Sequence, residues 1–539
     1  MLGGAVDGRW RKPPWLVGDE HLLRVGPGTG GDEENSCPSF AAAKARPALR
    51  TAVRSRLPRS RLETFTLGPI MDALDEIEFD ETPLEFALAG LRGCSPAIHA
   101  GHLRYADHAV RLYWEHCKGE SLKPVQPYWV VQRNEENFWE LYAWWRRYES
   151  LDGSVREYRR LRHGTVKGSP PGEIGIAAYV AAHGRPAAWP KPWSECFPIL
   201  GAAPQRVRRI RIVEVGLADG QVSVEFEGSV EDAEDYYRTY GHPHVARVVS
   251  SGGLSTGPSC FECKQRTACT ALPRVPGILG LPSRAASLRK VSVSDLRYYR
   301  DCPAQAHLRS LHLPKEGEYS DSAKLGQAVH HWIESLHRRD GHPACAAADM
   351  PSPGRNWTKE RWRVPDELAD TGLRMLHHHV DACPFQAGDL VERAETEAKR
   401  AFHDTAAQVV VVAKPDLLYR EDGSWVWREL KTTQKERWFH DDLLDEFPQL
   451  ALGVVALARG ALGGDPSGSR VEVEVLRPTG SDLHTIDPSE PDRLEKALAV
   501  LRRYATPWRE DETFEARPGQ ECQWCPVSRW CASYSAADL

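Results

Sequence analysis

The chain has 539 residues and 60.4 kDa, room for two to four domains with sizeable cores, which excludes a small stapled scaffold. Apolar residues make up 41% and charged residues 27%, close to the soluble globular norm, so wholesale disorder is excluded. A net charge of −6, from 69 basic and 75 acidic side chains, excludes a uniformly basic nucleic-acid coat.

The longest apolar stretch, Leu450 to Ala458, is about half of what a membrane-spanning helix needs. The N-terminus has no apolar signal core. A cytoplasmic protein is expected, and in that reducing compartment clustering among the 13 cysteines points to metal, not disulfides.

Residues 1–65 are rich in Gly, Pro, Ala and Arg without a sustained apolar period. They are expected to be disordered, or to precede a true start at Met71. Lys44 to Arg61 holds seven basic residues and no acid, and from Arg146 to Arg162 arginines interleave with Tyr148 and Tyr158. Such stretches can track phosphates and stack bases, although a solvated helix face or a loose arm explains them as well.

A breaker-rich stretch from Ser250 to Ser287 separates two expected domains, residues 71–275 and 288–539. Each ends in a Cys-x2-Cys-x5-Cys run: Cys260, Cys263, Cys269 and then Cys522, Cys525, Cys531. The preceding elements repeat too. IGIAAYVAAHG, RRIRIVEV, VSVEFE and SVEDAEDYYRTY stand before the first run; QLALGVVALARG, RVEVEVL, DLHTI and DRLEKALAVLRRY stand before the second. Helix, strand, strand, helix in both places suggests a duplication.

From Gln408 to Lys431 two apolar runs flank Asp422-Gly423, a strong hairpin signal. With those two as turn residues, Asp416 falls directly opposite Glu429, where Cβ atoms are about 4.5 to 5.5 Å apart. Strand alternation turns Lys431 to the same face as Glu429. Two carboxylates that close repel unless a proton or cation lies between them. A hard divalent ion is the natural occupant. On the expected helix from Ala323 to Arg339, Leu325, Val329, Ile333 and Leu336 form an apolar stripe. Gly326, His330 and Glu334 share an adjoining face, from which His330 could add a nitrogen ligand.

Cys522, Cys525 and Cys531 need a fourth ligand, for which Cys302, just before Pro303, is the candidate. Tetrahedral zinc and a cubane iron cluster both accept four cysteines, and spacing alone does not choose between them.

Taken in order, the Cys302-Pro303 helix, Gly326-x3-His330, Lys414-Pro415-Asp416, Glu429-Leu430-Lys431 and the closing cysteine triplet resemble the RecB-type branch of the PD-(D/E)xK nucleases. The resemblance is specifically to the iron–sulfur members related to AddB and the CRISPR-associated exonucleases, and it spans about residues 291–534. It implies an α/β, restriction-endonuclease-like domain in the second half and a metal-dependent DNA nuclease, exonuclease or end-processing, of the kind used in DNA repair. It further implies that His330, Asp416 and Glu429 bind Mg2+ or Mn2+ and that Lys431 positions or activates the attacking water. Cys302, Cys522, Cys525 and Cys531 would hold a [4Fe-4S] cluster, with Trp524 and Trp530 drying its surroundings.

The sequence departs from the family at Ala413, where a glycine is usual, and at Gly453, which stands where a tyrosine often follows Gln449 by four residues. It has no phosphate-binding Gly-x4-Gly-Lys-Ser/Thr loop, so any helicase motor would be a separate protein. The expected partner is DNA, single-stranded or with free ends, and no membrane. A non-catalytic nucleic-acid-binding scaffold and an RNA-directed nuclease are the alternatives.

In the first half Asp152-Gly153-Ser154 resembles Asp422-Gly423-Ser424, but arginines follow where the acid should be. A degenerate copy of the nuclease fold is expected there, although FWELYAWWRRY before Asp152 reads more easily as helix than strand. Cys260, Cys263 and Cys269 would form a second zinc or iron–sulfur site. Cys94 is the expected fourth ligand, 166 residues before Cys260 against 220 between Cys302 and Cys522, with Cys117, Cys196, His242 and His244 as competitors.

Overall fold

Two Asp-Gly turns organise the molecule. In the computed structural model Asp422 and Gly423 have φ of 47° and 79°, the left-handed pair that a two-residue hairpin turn demands. Gly153 takes φ 71° at the corresponding first-half turn. The structure describes residues 9–31, 36–52, 57–58, 60–93, 97–117, 122–204, 206–284, 286–317, 319–352, 357–386, 391–435 and 442–534. The chain divides into two compact units. One comprises Met1–Ala271, Asp301–Glu316 and Glu512–Leu539, the other Leu272–Arg300 and Gly317–Asp511.

In the first unit, the segment expected to be unstructured instead contributes a strand, β1 (Leu22–Val25), and a helix, α1 (Pro38–Lys44). Val25, Ala41 and Ala45 join the same buried cluster as Trp129 and Tyr158. Small apolar residues that look like low complexity are here the close-packing face of a short helix. After α2 (Ala100–Cys117) come β2 (Leu122–Pro124), β3 (Tyr128–Asn134), β4 (Phe138–Tyr142), β5 (Arg146–Ser150) and β6 (Val155–Arg162). Helix α3 (Pro171–His183), β7 (Arg185–Ala187), β8 (Arg209–Gly216) and β9 (Val222–Gly228) follow.

FWELYAWWRRY is thus strand, not helix. Its aromatic residues suit a pleated, half-buried surface, and pairing with β3 and β6 decides the matter. Two sheets result, one in the order β1-β4-β3-β7, the other β9-β8-β6-β5-β2. The arginines of this stretch are not a phosphate track. Arg146, Arg156 and Arg159 are buried, with Arg146 paired to Asp75 at 2.8 Å and Arg159 to Glu157 at 2.5 Å. Buried charges survive only when paired in this way.

The second unit contains β10 (Arg289–Ser292), α4 (Asp321–His337), α5 (Ala369–Ala382), β11 (Val391–Thr396), β12 (Arg400–Asp404) and β13 (Val409–Ala413). It continues with β14 (Leu417–Glu421), β15 (Ser424–Thr432), α6 (Pro448–Ala458), β16 (Arg470–Arg477), β17 (Gly480–Ile486) and α7 (Pro491–Glu510). Strand order is β10-β13-β12 in a small sheet and β11-β14-β15-β16-β17 in the larger one. The hairpin register is the expected one, Leu417 opposite Arg428 and Glu421 opposite Ser424.

The apolar run from Gln408 is however not one strand. It breaks at Lys414-Pro415-Asp416, and β13 and β14 belong to different sheets. Pro415 has no N–H to donate, so the ladder cannot run through it and the chain changes sheets there. Helix α6, buried on nearly every face, makes the crossover that parallel β15 and β16 require.

The five-stranded sheets of the two units have the same plan. In each, an edge strand pairs antiparallel with the first hairpin strand, and the second hairpin strand is followed by a parallel and then an antiparallel neighbour. Among the described residues no helix is long and apolar enough to cross a membrane.

Candidate active site and thiolate centres

The sheet change at Pro415 places Asp416 one residue before β14, opposite Glu429 in the extension of the ladder. The two acids are held differently. Asp416 Oδ2 accepts from the Leu430 amide at 2.7 Å, and Oδ1 lies 3.2 Å from His330 Nδ1 on α4. Glu429 is buried, and its Oε1 accepts from the Trp427 indole at 3.0 Å. Lys431 Nζ stands 3.1 Å from Glu429 Oε2 and 3.8 Å from Asp416 Oδ2. His330, Asp416, Glu429 and Lys431, which the sequence singles out, are therefore brought together.

Burial alone would raise the Asp416 carboxyl, but His330 and Lys431 outweigh it and hold the group well below the usual range. Burial raises the Glu429 carboxyl against the pull of Lys431. The same carboxylates hold the Lys431 amine above its ordinary value despite its burial. One acid is firmly ionised and its neighbour is costly to charge, so the site favours an added cation.

Sequence reasoning missed Glu397. Its amide donates to the Asp416 carbonyl at 3.1 Å, and its carboxylate pairs with Lys414. Burial and then the Asp416 charge push the Glu397 carboxyl up to about 7. It is one of three acids between Val391 and Arg400, and the alternation of β11 does not set it apart. Its φ of 52°, a sparsely populated region for a residue with a side chain, becomes apparent only in three dimensions. Glu334 pairs with His331 and Arg338 and lines the same cavity as His330 and Asp416.

Gln449 lies in the first turn of α6, partly exposed. Gly453, in the usual tyrosine's place, faces the Trp427 ring; a Cβ there would lie 3.1 Å from Trp427 Cγ. The indole that orients Glu429 thus fills the space an aromatic residue would need.

Cys302 caps the helix Pro303–Ser310 in the same unit as the C-terminal triplet. Backbone amides approach two sulfurs, Arg517 N to Cys302 Sγ and Gly519 N to Cys522 Sγ, both at 3.4 Å. Burial raises the Cys525 thiol, and Cys302, Cys531 and Cys522 close by add to the effect. Trp530 is buried, its indole donating to the Pro314 carbonyl at 2.7 Å. Trp524 is 77% exposed and dries nothing.

The first triplet has a fourth sulfur nearby, from Cys37. Burial pushes the Cys263 thiol up to about 12, with Cys260, Cys37 and Cys269 contributing as neighbouring charges. The loop carrying the triplet is docked on α1. Gln265 Nε2 donates to Ser39 O and Oγ at 3.2 Å, and Lys264 Nζ to Arg46 O at 2.8 Å and Leu49 O at 3.0 Å. Cys94, the expected fourth ligand, lies outside the described residues. Cys37 precedes Pro38 and caps a short helix, as Cys302 does before Pro303. It stands 223 residues before Cys260, against 220 between Cys302 and Cys522. With Cys37 as the fourth sulfur the two spacings match.

Residues 290–532 match the family model of the PD-(D/E)XK nuclease superfamily. No curated protein is a significant match. Among solved structures, that of SSO0001 is 15% identical, covering 47% of this chain and 90% of its own, with a TM-score of 0.24. A provisionally named exonuclease from Eubacterium rectale is 12% identical, covering 43% of this chain and 86% of its own, with a TM-score of 0.29.

Proposed function

We propose that this chain is a RecB-type, metal-dependent DNA nuclease of exonuclease or end-processing type, stabilised by thiolate-bound iron–sulfur centres. The observation that carries the reading is the opposition of Asp416 and Glu429 with Lys431 on the same face and His330 against Asp416. The donor set fits Mg2+ or Mn2+, which take carboxylate oxygen and leave positions for water and phosphate. When bound, such an ion supplies Lewis acidity and positive charge beside the phosphodiester.

The remaining chemistry belongs to the chain. Asp416 and Glu429 present anionic oxygens whose directions the Leu430 amide and the Trp427 indole fix. Lys431 keeps its proton and offers a positioned cation to charge developing on the phosphate. His330, whose Nδ1 lies 3.2 Å from Asp416 Oδ1, orients that carboxylate and would add a nitrogen donor to the ion.

The two cysteine quartets, Cys302 with Cys522, Cys525 and Cys531, and Cys37 with Cys260, Cys263 and Cys269, would each hold a [4Fe-4S] cluster. Amides aimed at sulfurs support thiolate character, and all-sulfur donor sets suit iron–sulfur chemistry. The first unit reads as a degenerate copy of the nuclease domain. Its hairpin sets Arg146 opposite Arg159, where the second sets Asp416 opposite Glu429. Two arginines cannot hold a divalent cation, so this copy would serve binding. A separate helicase is the fitting source of single strands.

The test is cleavage of end-labelled single- and double-stranded DNA, with RNA alongside, in Mg2+ or Mn2+. Metal-dependent release of labelled product that is lost in Asp416→Ala is expected. Cleavage at the wild-type rate by Asp416→Ala would overturn the assignment.

A further inference from the structure

Behind the carboxylate site lies a second convergence of ligating groups that the nuclease reading does not use. His337 ends α4, Cys345 follows eight residues later, and His379 and Cys383 stand four apart at the end of α5. One ligand atom from each lies within 4.8 Å of all the others. All four residues are buried, none more than 3% exposed. His379 Nε2 is 3.1 Å from His337 Nε2, and Cys383 Sγ is 3.7 Å from the same nitrogen. A tetrahedron with arms of about 2.0 to 2.1 Å to nitrogen and about 2.3 Å to sulfur has edges of roughly 3.3 to 3.8 Å. The His379–His337 and Cys383–His337 separations are near those edges.

We propose that His337, Cys345, His379 and Cys383 bind a structural zinc ion. The surroundings are built for it. Glu474, on β16, approaches His379 Nδ1 at 2.8 Å, which fixes the ring and leaves Nε2 as the ligating atom, the arrangement typical of zinc-bound histidines. The Cys345 amide approaches Cys383 Sγ at 3.5 Å, and Gln386 Nε2 holds the Cys345 carbonyl at 3.1 Å. The Phe385 ring packs on His337 with centroids 4.9 Å apart, closing the site from water. Two thiols and two imidazoles favour zinc over Mg2+ or Mn2+, which prefer oxygen. Four filled positions leave none for substrate, so the ion is structural.

The site joins the ends of two helices to the sheet that carries Glu429. It shares a narrow cavity with the carboxylate site, whose lining includes His337 and His379 as well as His330 and Asp416. His330 is seven residues before His337 on α4, two helical turns along one face. The zinc assignment does not depend on the nuclease reading, and its test uses a separate readout.

Full-length protein purified without chelator should contain one zinc per chain in addition to any iron. X-ray absorption at the zinc edge should give two nitrogens at about 2.0 to 2.1 Å and two sulfurs at about 2.3 Å. Cys383→Ser and His379→Asn should each lose most of the zinc and leave the iron content unchanged. A zinc shell of four sulfurs, absence of zinc from the wild type, or a Cys345–Cys383 disulfide in freshly purified protein would overturn the proposal. The wild-type spectrum decides the matter even if both variants fail to fold.

Discussion

The Lys431 ammonium lies 3.1 Å from a Glu429 carboxylate oxygen, two residues away on the same face of β15. It acts as a built-in counter-charge, lowering the cost of holding Glu429 ionised beside Asp416. A divalent ion at the same carboxylates would free the amine to face the phosphate.

Asp416→Ala, Glu429→Ala and Lys431→Ala should therefore each lower the cleavage rate by about 10²-fold or more, the usual loss when a group aimed at developing charge is removed. His330→Ala should cost less, because water can replace a nitrogen donor. Single-turnover rates across a Mn2+ titration distinguish the cases. The His330 variant should recover at high metal and the Lys431 variant should not.

Cys37 should matter as much as Cys302 to bound iron. If both quartets hold [4Fe-4S] clusters, the protein is brown, absorbs near ~400 nm and carries about eight irons per chain. Cys37→Ala and Cys525→Ala should each reduce this to about four. Anaerobic purification followed by iron and sulfide analysis gives the count, and an unchanged value in Cys37→Ala would remove Cys37 from the centre.

Gly453→Tyr, which restores the aromatic residue usual at this position, should be harmful here. Its Cβ would already press on Trp427. Overpacking of this kind typically costs about 1 to 3 kcal/mol. The displaced indole also releases Glu429, so cleavage should fall along with the urea midpoint. A variant of full stability and activity would show that Trp427 can move aside.

Stability should fall in mild acid through His163. Burial first, then the positive charges of His312, Lys167 and Arg162, holds this imidazole down at about 4. In the unfolded chain it protonates near ~6.5. The unfolded state thus binds the extra proton first. The His163 contribution is complete above pH ~6.5 and declines as the pH falls from there toward about 4. Urea midpoints for wild type and His163→Gln between pH 7.5 and 5.5 should differ in slope, with the wild type falling more steeply.

The carboxylate site was readable in sequence because its determinants are local. A two-residue turn fixes the register, and the register fixes which side chains oppose each other. The repeat of the element series was legible for the same reason, since each element follows from its own periodicity. Cys37 was not legible, because Ala- and Gly-rich surroundings conceal a short helix whose stability comes from packing. FWELYAWWRRY misled because aromatic density fits helix and strand alike, and only cross-strand partners decide. The His337, Cys345, His379 and Cys383 group escaped because its spacings follow no local pattern; helix packing in the second unit assembles it.

If each cysteine quartet holds a centre, its position carries a thermodynamic consequence. Cys302 and Cys522 bracket 220 residues of chain, and Cys37 and Cys260 bracket 223. A centre that joins such distant points removes conformations from the unfolded ensemble as a covalent crosslink does, and on loop-closure scaling each restriction is worth about 5 kcal/mol. That gain requires the centre to persist in the denatured chain. If the iron is released on unfolding, the restriction vanishes and the stabilisation becomes binding free energy, set by the supply of iron and sulfide. Refolding would then require iron and sulfide to rebuild the clusters and would fail in air, so oxygen would govern how long the folded protein lasts.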